Sequence, residues 1–178
     1  MDATSIFEKI KDSYGEDGVA WIGDLHRDPT VLVEAGRLRS LAAHLKENPD
    51  LHFDTLMCLS GVHQHEETHR LEAVYHLYSM RHRHKIVLKV HAAVPDLPPR
   101  FHPKIDTVSD IWPAAEWMER EAYDMFGILF AGHKDLRRLL LPEDWEGHPL
   151  LKTYREPGTY REISTVREEA GNGGPAEQ

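Results

Sequence analysis

Apolar residues along this chain recur at two spacings, and the switches between them mark out its elements. Ile6, Phe7 and Ile10 form an i, i+3/i+4 stripe over Thr4–Tyr14, with Thr4 or Ser5 placed to cap the helix and Gly15 to stop it. Val19–Leu25 and Thr30–Val33 predict two short strands around a turn at Asp28-Pro29. Leu38, Leu41, Ala42 and Leu45 predict a second amphipathic helix that ends near Asn48-Pro49. Phe53–Val62 is a nearly continuous apolar run closed by Gly61, which predicts a buried central strand. Leu71–Met80 and Lys85–His91 predict a hairpin, with Ile86, Leu88 and Val90 on one face and a polar, solvated tip at Arg81–His84.

Four prolines make Val94–Pro103 an extended connector. Beyond it, Pro113 near the start and Gly127 at the end bracket a third helix, with Ser109 or Asp110 as its cap. Ala115, Met118, Ala122 and Met125 line one face of that helix. Glu116, Arg120 and Asp124 line another at i, i+4 spacing, and the Glu-before-Arg order is the favourable one, worth a few tenths of a kcal/mol. Ile128–Phe130 predicts a short strand, after which the periodicity fades.

The stretch from Glu119 to Tyr154 is both apolar and charged and has no clean period. Its apolar side chains need cover, and a neighbouring subunit is the natural place. Arg137 and Arg138 stand beside Leu139-Leu140-Leu141, where a planar guanidinium suits a paired charge at an interface. Trp145 and Tyr154 have the profile of interface anchors.

The net charge of −9 argues against nucleic-acid binding, which needs clustered Lys and Arg. A single cysteine, Cys58, excludes an internal disulfide and a thiolate cluster, and its apolar setting predicts a buried small hydrophobe. No signal peptide and no membrane-length apolar run is visible, so the expectation is a cytosolic chain, or one attached to a membrane only through other chains. His63, His65 and His69 with Glu66 or Glu67 invite a zinc reading, but their spacing suits no single element, and a solvated loop is the better expectation. His82, His84 and His91 are expected on the surface. The pairs Glu119/Glu121, Glu143/Asp144 and Glu66/Glu67 do not make an acid–base dyad by spacing. Nucleophile and phosphate-cradling motifs are absent, so a stand-alone hydrolase is disfavoured.

Glu119-Arg120-Glu121, Asp124-Met125-Phe126-Gly127, His133, Arg137 and Leu139, taken in order, resemble the signature of the 30 kDa-type subunit family of respiratory complex I. VYHLYSMRHRHKIVLKV, SDIWPAAEWMERE and LLLPEDWEGHPL resemble the same family in the same order, and the likeness runs from about Thr4 to Arg167. Lys134 departs from the family's usual proline, Leu151 and Thr153 from its arginine and aspartate, and His63 from a common acidic residue.

The resemblance implies an α+β fold, a small mixed sheet with helices packed on one face, followed by an extended partner-binding segment. With it the chain divides into a domain over 1–130 and an interface segment over 131–167, and the polar composition of 168–178 predicts a disordered tail. It implies a non-catalytic subunit of a proton-translocating NADH-quinone oxidoreductase, peripheral on the cytoplasmic side of the cell inner membrane. The expected partners are the large hydrogenase-like, D-type subunit and neighbouring iron–sulfur subunits. No cofactor is expected in this chain; FMN and iron–sulfur clusters belong to the complex. Glu119, Arg120, Glu121, Asp124, Phe126, Gly127, His133, Arg137, Arg138, Leu139, Trp145 and Tyr154 are then interface or signature residues. The rival readings are the homologous subunit of a membrane-bound hydrogenase or a ferredoxin- or deazaflavin-dependent complex, and a free-standing His-rich metal-binding protein.

Overall fold

Alternation along two hairpin strands sets the layering. The computed structural model describes residues 1–25, 28–64, 70–92 and 102–165. Strands β1 (Val19–Leu25), β2 (Asp28–Glu34), β3 (Thr55–Gln64), β4 (Arg70–Ser79) and β5 (His84–Ala92) form one five-stranded sheet in the order β1-β2-β5-β4-β3. Only the β2–β5 pair is parallel, so the sheet is mixed. On β4, Leu71, Ala73, Tyr75 and Leu77 oppose Ala92, Val90, Leu88 and Ile86 of β5, and all eight are buried on one face. The intervening residues, Glu72 to Tyr78 and Lys85 to His91, form the second, more polar face.

The helices cover the apolar face. In α1 (Ala3–Ser13), Ile6 and Ile10 are buried, and the cap is Asp2, whose carboxylate accepts the Ser5 N–H at 2.8 Å. In α2 (Leu38–Glu47), Leu38, Leu41, Ala42 and Leu45 are all fully buried, as their spacing requires. The third helix, α3 (Ala115–Phe126), lies against β3. Its Phe126 ring sits so close over Gly61 that a Cβ there would collide with it. Gly127 ends the helix with φ +74°, the left-handed backbone that glycine adopts without strain. Short strands β6 (Lys104–Asp106) and β7 (Leu129–Ala131) pair in parallel beside it, and β8 (Thr159–Tyr160) pairs with β9 (Ile163–Ser164).

Several expectations are corrected here. The apolar run of β3 is an edge strand, not a central one: Leu56 and Leu59 are buried, whereas Met57 is 57% exposed. Cys58, the next residue, is exposed as well and not a buried small hydrophobe. His84 is buried, its ring 4.7 Å from that of Phe53 and its Nε2–H donating to the Leu51 carbonyl at 2.7 Å. Neither Ser109 nor Asp110 caps α3; the chain first turns through Val108–Trp112, and the Trp112 indole N–H is fixed on the Phe53 carbonyl at 2.9 Å. Asp28 and Pro29 belong to β2 and not to a turn. Most of the proline-rich connector, His65–His69 and the tail from 166 onward lie outside the described residues.

Candidate functional site

Residues 131–165 contain little regular structure, so their backbone groups need partners from elsewhere. Helix α3 supplies them. Asp124 is fully buried, and its Oδ2 accepts the N–H groups of Leu139, Leu140 and Leu141 at 3.0, 2.8 and 2.9 Å. Its Oδ1 takes Nη1 of Arg138 at 2.7 Å. Arg138, only 14% exposed in its side chain, turns Nη2 to the carbonyls of Trp145 and Gly147 at 2.9 and 3.0 Å. One turn earlier on α3, Arg120 donates to the carbonyls of Arg137 and Arg138 at 3.3 and 3.1 Å. One acid and one base of the helix thus hold both the donors and the acceptors of a single loop.

The segment returns the contact. Helices end with unsatisfied carbonyls. Here His148 Nδ1–H donates to the Asp124 carbonyl at 2.9 Å, and the Leu150 N–H donates to that of Met125 at 3.1 Å. The His102 ring adds a bond to the Gly127 carbonyl at 2.9 Å. Burial holds His148 below its ordinary range, so it serves as a neutral donor. Burial also opposes the charge on Asp124, but the amides of residues 139–141 and Arg138 outweigh it and hold the carboxyl below its usual range.

A second acid on the same helix has a different environment. Glu119 is fully buried; its Oε1 accepts the Val108 N–H at 2.8 Å and its Oε2 the Thr107 hydroxyl. His133 Nε2 is 4.0 Å from Oε2, with both side chains fully buried. The His133 Nδ1 accepts the Asp135 N–H at 3.0 Å, so Nε2 carries the proton and donates it to the Glu116 carbonyl at 3.0 Å. Burial therefore dominates, and the Glu119 carboxyl is pushed up to about 7. The Tyr75 hydroxyl, also buried, has no hydrogen-bond partner among the described residues; burial and then the Glu119 charge push it upward.

The segment's outer end folds on itself. Trp145 Nε1–H donates to the Tyr154 hydroxyl at 3.1 Å, and its ring lies 4.8 Å from that of Tyr160. Asp144 accepts from the Tyr160 hydroxyl and pairs with Arg161 at 3.1 Å. Against this scaffold Trp117, Leu140, Leu150 and Ile163 remain largely exposed.

The structure sorts the expected site residues into groups. Arg120, Asp124, Arg138 and the Leu139 amide meet in one clamp; Glu119 meets His133; Trp145 meets Tyr154; Phe126 and Gly127 fix the helix end. Glu121 is exposed, and among the described residues the Arg137 side chain pairs only with its neighbour Asp135. Arg120 and Asp124, which share a helix face with Glu116, are buried and bond to the loop. Arg138 is likewise an internal clamp. Sequence reasoning missed His148, His102 and Thr107, whose partners are a backbone carbonyl in two cases and Glu119 in the third. His63 is buried within β3 and accepts the Lys152 N–H at 3.0 Å, so it is not part of a solvated loop. Among the described residues no three His, Cys, Asp or Glu side chains are grouped to hold a metal, and His65 and His69 lie outside them.

Fold and site together define a class: a small mixed α+β domain whose last helix holds a C-terminal segment through buried charge. The chain belongs to the family described as respiratory-chain NADH dehydrogenase, 30 Kd subunit, whose model matches residues 31–160. It is 37% identical over 152 residues to a Roseiflexus sp. (strain RS-1) protein, covering 85% of this chain and 83% of the relative. A Chlorobium phaeobacteroides relative is 35% identical over 162 residues, covering 90% and 93%. A Chloroherpeton thalassium relative is 36% identical over 162 residues and covers 88% of this chain, which spans 62% of that relative's length. Each of these relatives is named as the C-type subunit of NADH-quinone oxidoreductase. The fold is also that of a chain in the membrane-bound sulfane sulfur reductase, an archaeal respiratory membrane complex. The TM-score is 0.64 at 24% identity, over 80% of this chain and 78% of that one. No helix among the described residues is long and apolar enough to cross a membrane.

Proposed function

We propose that this chain is a structural subunit in the peripheral arm of a proton-translocating NADH-quinone oxidoreductase, and that it positions a partner surface without taking part in the chemistry. Family membership supports the complex. The observation that carries the positioning role is the clamp: buried Asp124 and Arg138 hold in place a segment that leaves Leu140 62% exposed, while Trp117 on the clamping helix α3 is also 62% exposed. Exposed apolar side chains on a rigidly held backbone suit a protein neighbour. In this reading the neighbour is the large hydrogenase-like, D-type subunit, with iron–sulfur subunits nearby. NADH, FMN, the clusters and the quinone are bound by those other chains, and this chain sits on the cytoplasmic face of the inner membrane, touching the membrane only through the complex.

The test is affinity purification of the intact complex through this chain, comparing wild type with a Trp117→Ser, Leu140→Asp double variant. The wild type brings down the large subunit; the variant, whose changed positions are on the surface, folds and leaves it behind. Retention of the large subunit at wild-type yield by the variant would refute the reading. A second reading, the equivalent subunit of another respiratory membrane complex, is favoured by the shared fold with the sulfane sulfur reductase chain. An NADH-oxidising flavoprotein among the co-purified chains decides for the first; its absence decides for the second.

A further inference from the structure

The five-stranded sheet ends on β3, and among the described residues that edge lacks the usual defences. A sheet edge presents open N–H and C=O groups, and proteins blunt such edges with charge, proline, short length or cover. β3 is ten residues long, reads TLMCLSGVHQ and contains no proline and no charged residue. Its one defence is an irregularity of register between Leu56 and Cys58. Among the described residues no main-chain segment other than β4 hydrogen-bonds to it. The approaching Lys152 N–H goes to the His63 ring, not to the strand's backbone. The opposite edge differs: β1 has seven residues and includes an aspartate.

Beside this edge a notch of about 160 Å³ opens between β3 and α3. Leu59, Gly61, Ala122, Phe126 and Leu150 make its apolar wall, and Glu121 is its one charged lining residue. The space suits a single aliphatic or aromatic side chain. We propose that β3 receives an extended, mainly uncharged segment of the neighbouring subunit as a sixth strand, with one apolar side chain in the notch and a Lys or Arg beside it facing Glu121. Main-chain pairing supplies the attraction and the notch supplies the register. A second copy of this chain is the poorer occupant. It would bring another Glu121 and no new cation to the notch, and a single strand pair on its own falls short of the roughly 1,200 Å² that stable interfaces bury. Leu150, half exposed, belongs both to the notch wall and to the clamped segment that carries Leu140, so the notch shares an element with the surface proposed for the partner.

The inference rests on the proposed membership of a larger complex, and its test keeps the two apart. Hydrogen exchange is followed by mass spectrometry over Thr55–Gln64 in the isolated full chain and in the purified complex, with alkylation of the one thiol, Cys58, by a maleimide in parallel. Strand addition predicts that the outward-facing amides of β3 exchange at least about tenfold more slowly in the complex. It also predicts that Cys58 alkylation slows, and that both rates recover when the arm is dissociated. A complex that contains the large subunit but leaves β3 exchange unchanged overturns the inference and spares the proposed function. Protection of β3 already in the isolated chain, accompanied by a dimer in sedimentation, assigns the edge to a second copy and also overturns it. Failure of the large subunit to co-purify removes the premise itself.

Discussion

Glu119 and Asp124 lie on one helix, both fully buried, and burial works against charge on each. Asp124 nevertheless falls below the usual carboxylate range, whereas Glu119 rises to about 7. The difference is the count and kind of donors. Asp124 faces three amides and a guanidinium. Glu119 faces one amide and one hydroxyl, while the nearby His133 directs its proton to a carbonyl. A buried carboxylate is stable as an anion only when its surroundings replace the hydration it has lost. In this helix the anion holds the C-terminal segment, and the poorly solvated acid sits between the body's turn at Thr107–Val108 and that segment's first residues.

The largest effect is expected from removing the anion. Asp124→Ala strands the buried Arg138 and leaves three amides without an acceptor, which costs about 3–5 kcal/mol by analogy with other broken buried pairs. Urea denaturation measures the loss, and limited proteolysis over 131–165 shows whether the segment is released. Equal protease resistance in the variant would break the comparison at its root. Acid treatment acts on the same group: the stabilisation from Asp124 is present above the ordinary carboxylate range and is lost as pH falls through its depressed folded value.

Glu119 has the opposite sign. Its folded value of about 7 lies above the 4.5 of a free glutamate, so its contribution to stability is full at low pH and is lost as pH rises between them. The total loss is about 3 kcal/mol. Glu119→Gln removes the titration; its amide oxygen still accepts the Val108 N–H, and its NH2 group donates to the Thr107 hydroxyl oxygen in place of the bond that Glu119 accepts. The variant is expected to match wild type near pH 4 and to exceed it by up to that amount at pH 8, read from urea midpoints at the two pH values. A variant less stable than wild type at pH 8 would show that the ionised carboxylate is better satisfied than its two donors allow.

A smaller change sharpens the same contrast. Thr107→Val deletes one of those two donors, leaves the shape nearly unchanged and should cost about 1 kcal/mol where Glu119 is ionised. The infrared carbonyl stretch of the protonated Glu119 acid should then persist to higher pH than in wild type. A midpoint that moves down or stays fixed would exclude the hydroxyl as a stabiliser of the anion.

Much of the architecture is legible in the residues, and the clamp is not. Leu38, Leu41, Ala42 and Leu45 announce their helix, and Ile86, Leu88 and Val90 announce a half-buried strand, because each pattern matches one period against one buried face. Asp124 is legible as a helical residue, but its partners are main-chain amides fifteen to seventeen residues away, and an amide has no letter in the sequence. The β3 run misleads for a related reason. A central strand and an edge strand with an apolar open side can have the same composition, and what separates them is whether a second strand pairs alongside, which for β3 none of the described residues does.

Arg137 and Arg138 are adjacent in sequence and alike in chemistry, and they give the smallest expected effect its meaning. Arg138 is nearly buried and binds an aspartate and two carbonyls, whereas Arg137 is 62% exposed and, among the described residues, holds only Asp135 two residues away. An exposed pair between near neighbours adds little, because water already solvates both charges. Arg137→Glu should leave the urea midpoint of the isolated chain unchanged within error, while Arg138→Glu lowers it about as far as Asp124→Ala does. If Arg137→Glu nevertheless removes the chain from the complex at unchanged stability, its guanidinium contacts the partner and the neighbouring arginine holds it there. If both substitutions destabilise the isolated chain alike, the clamp extends over both residues, and the division between a buried holder and an exposed contact is wrong.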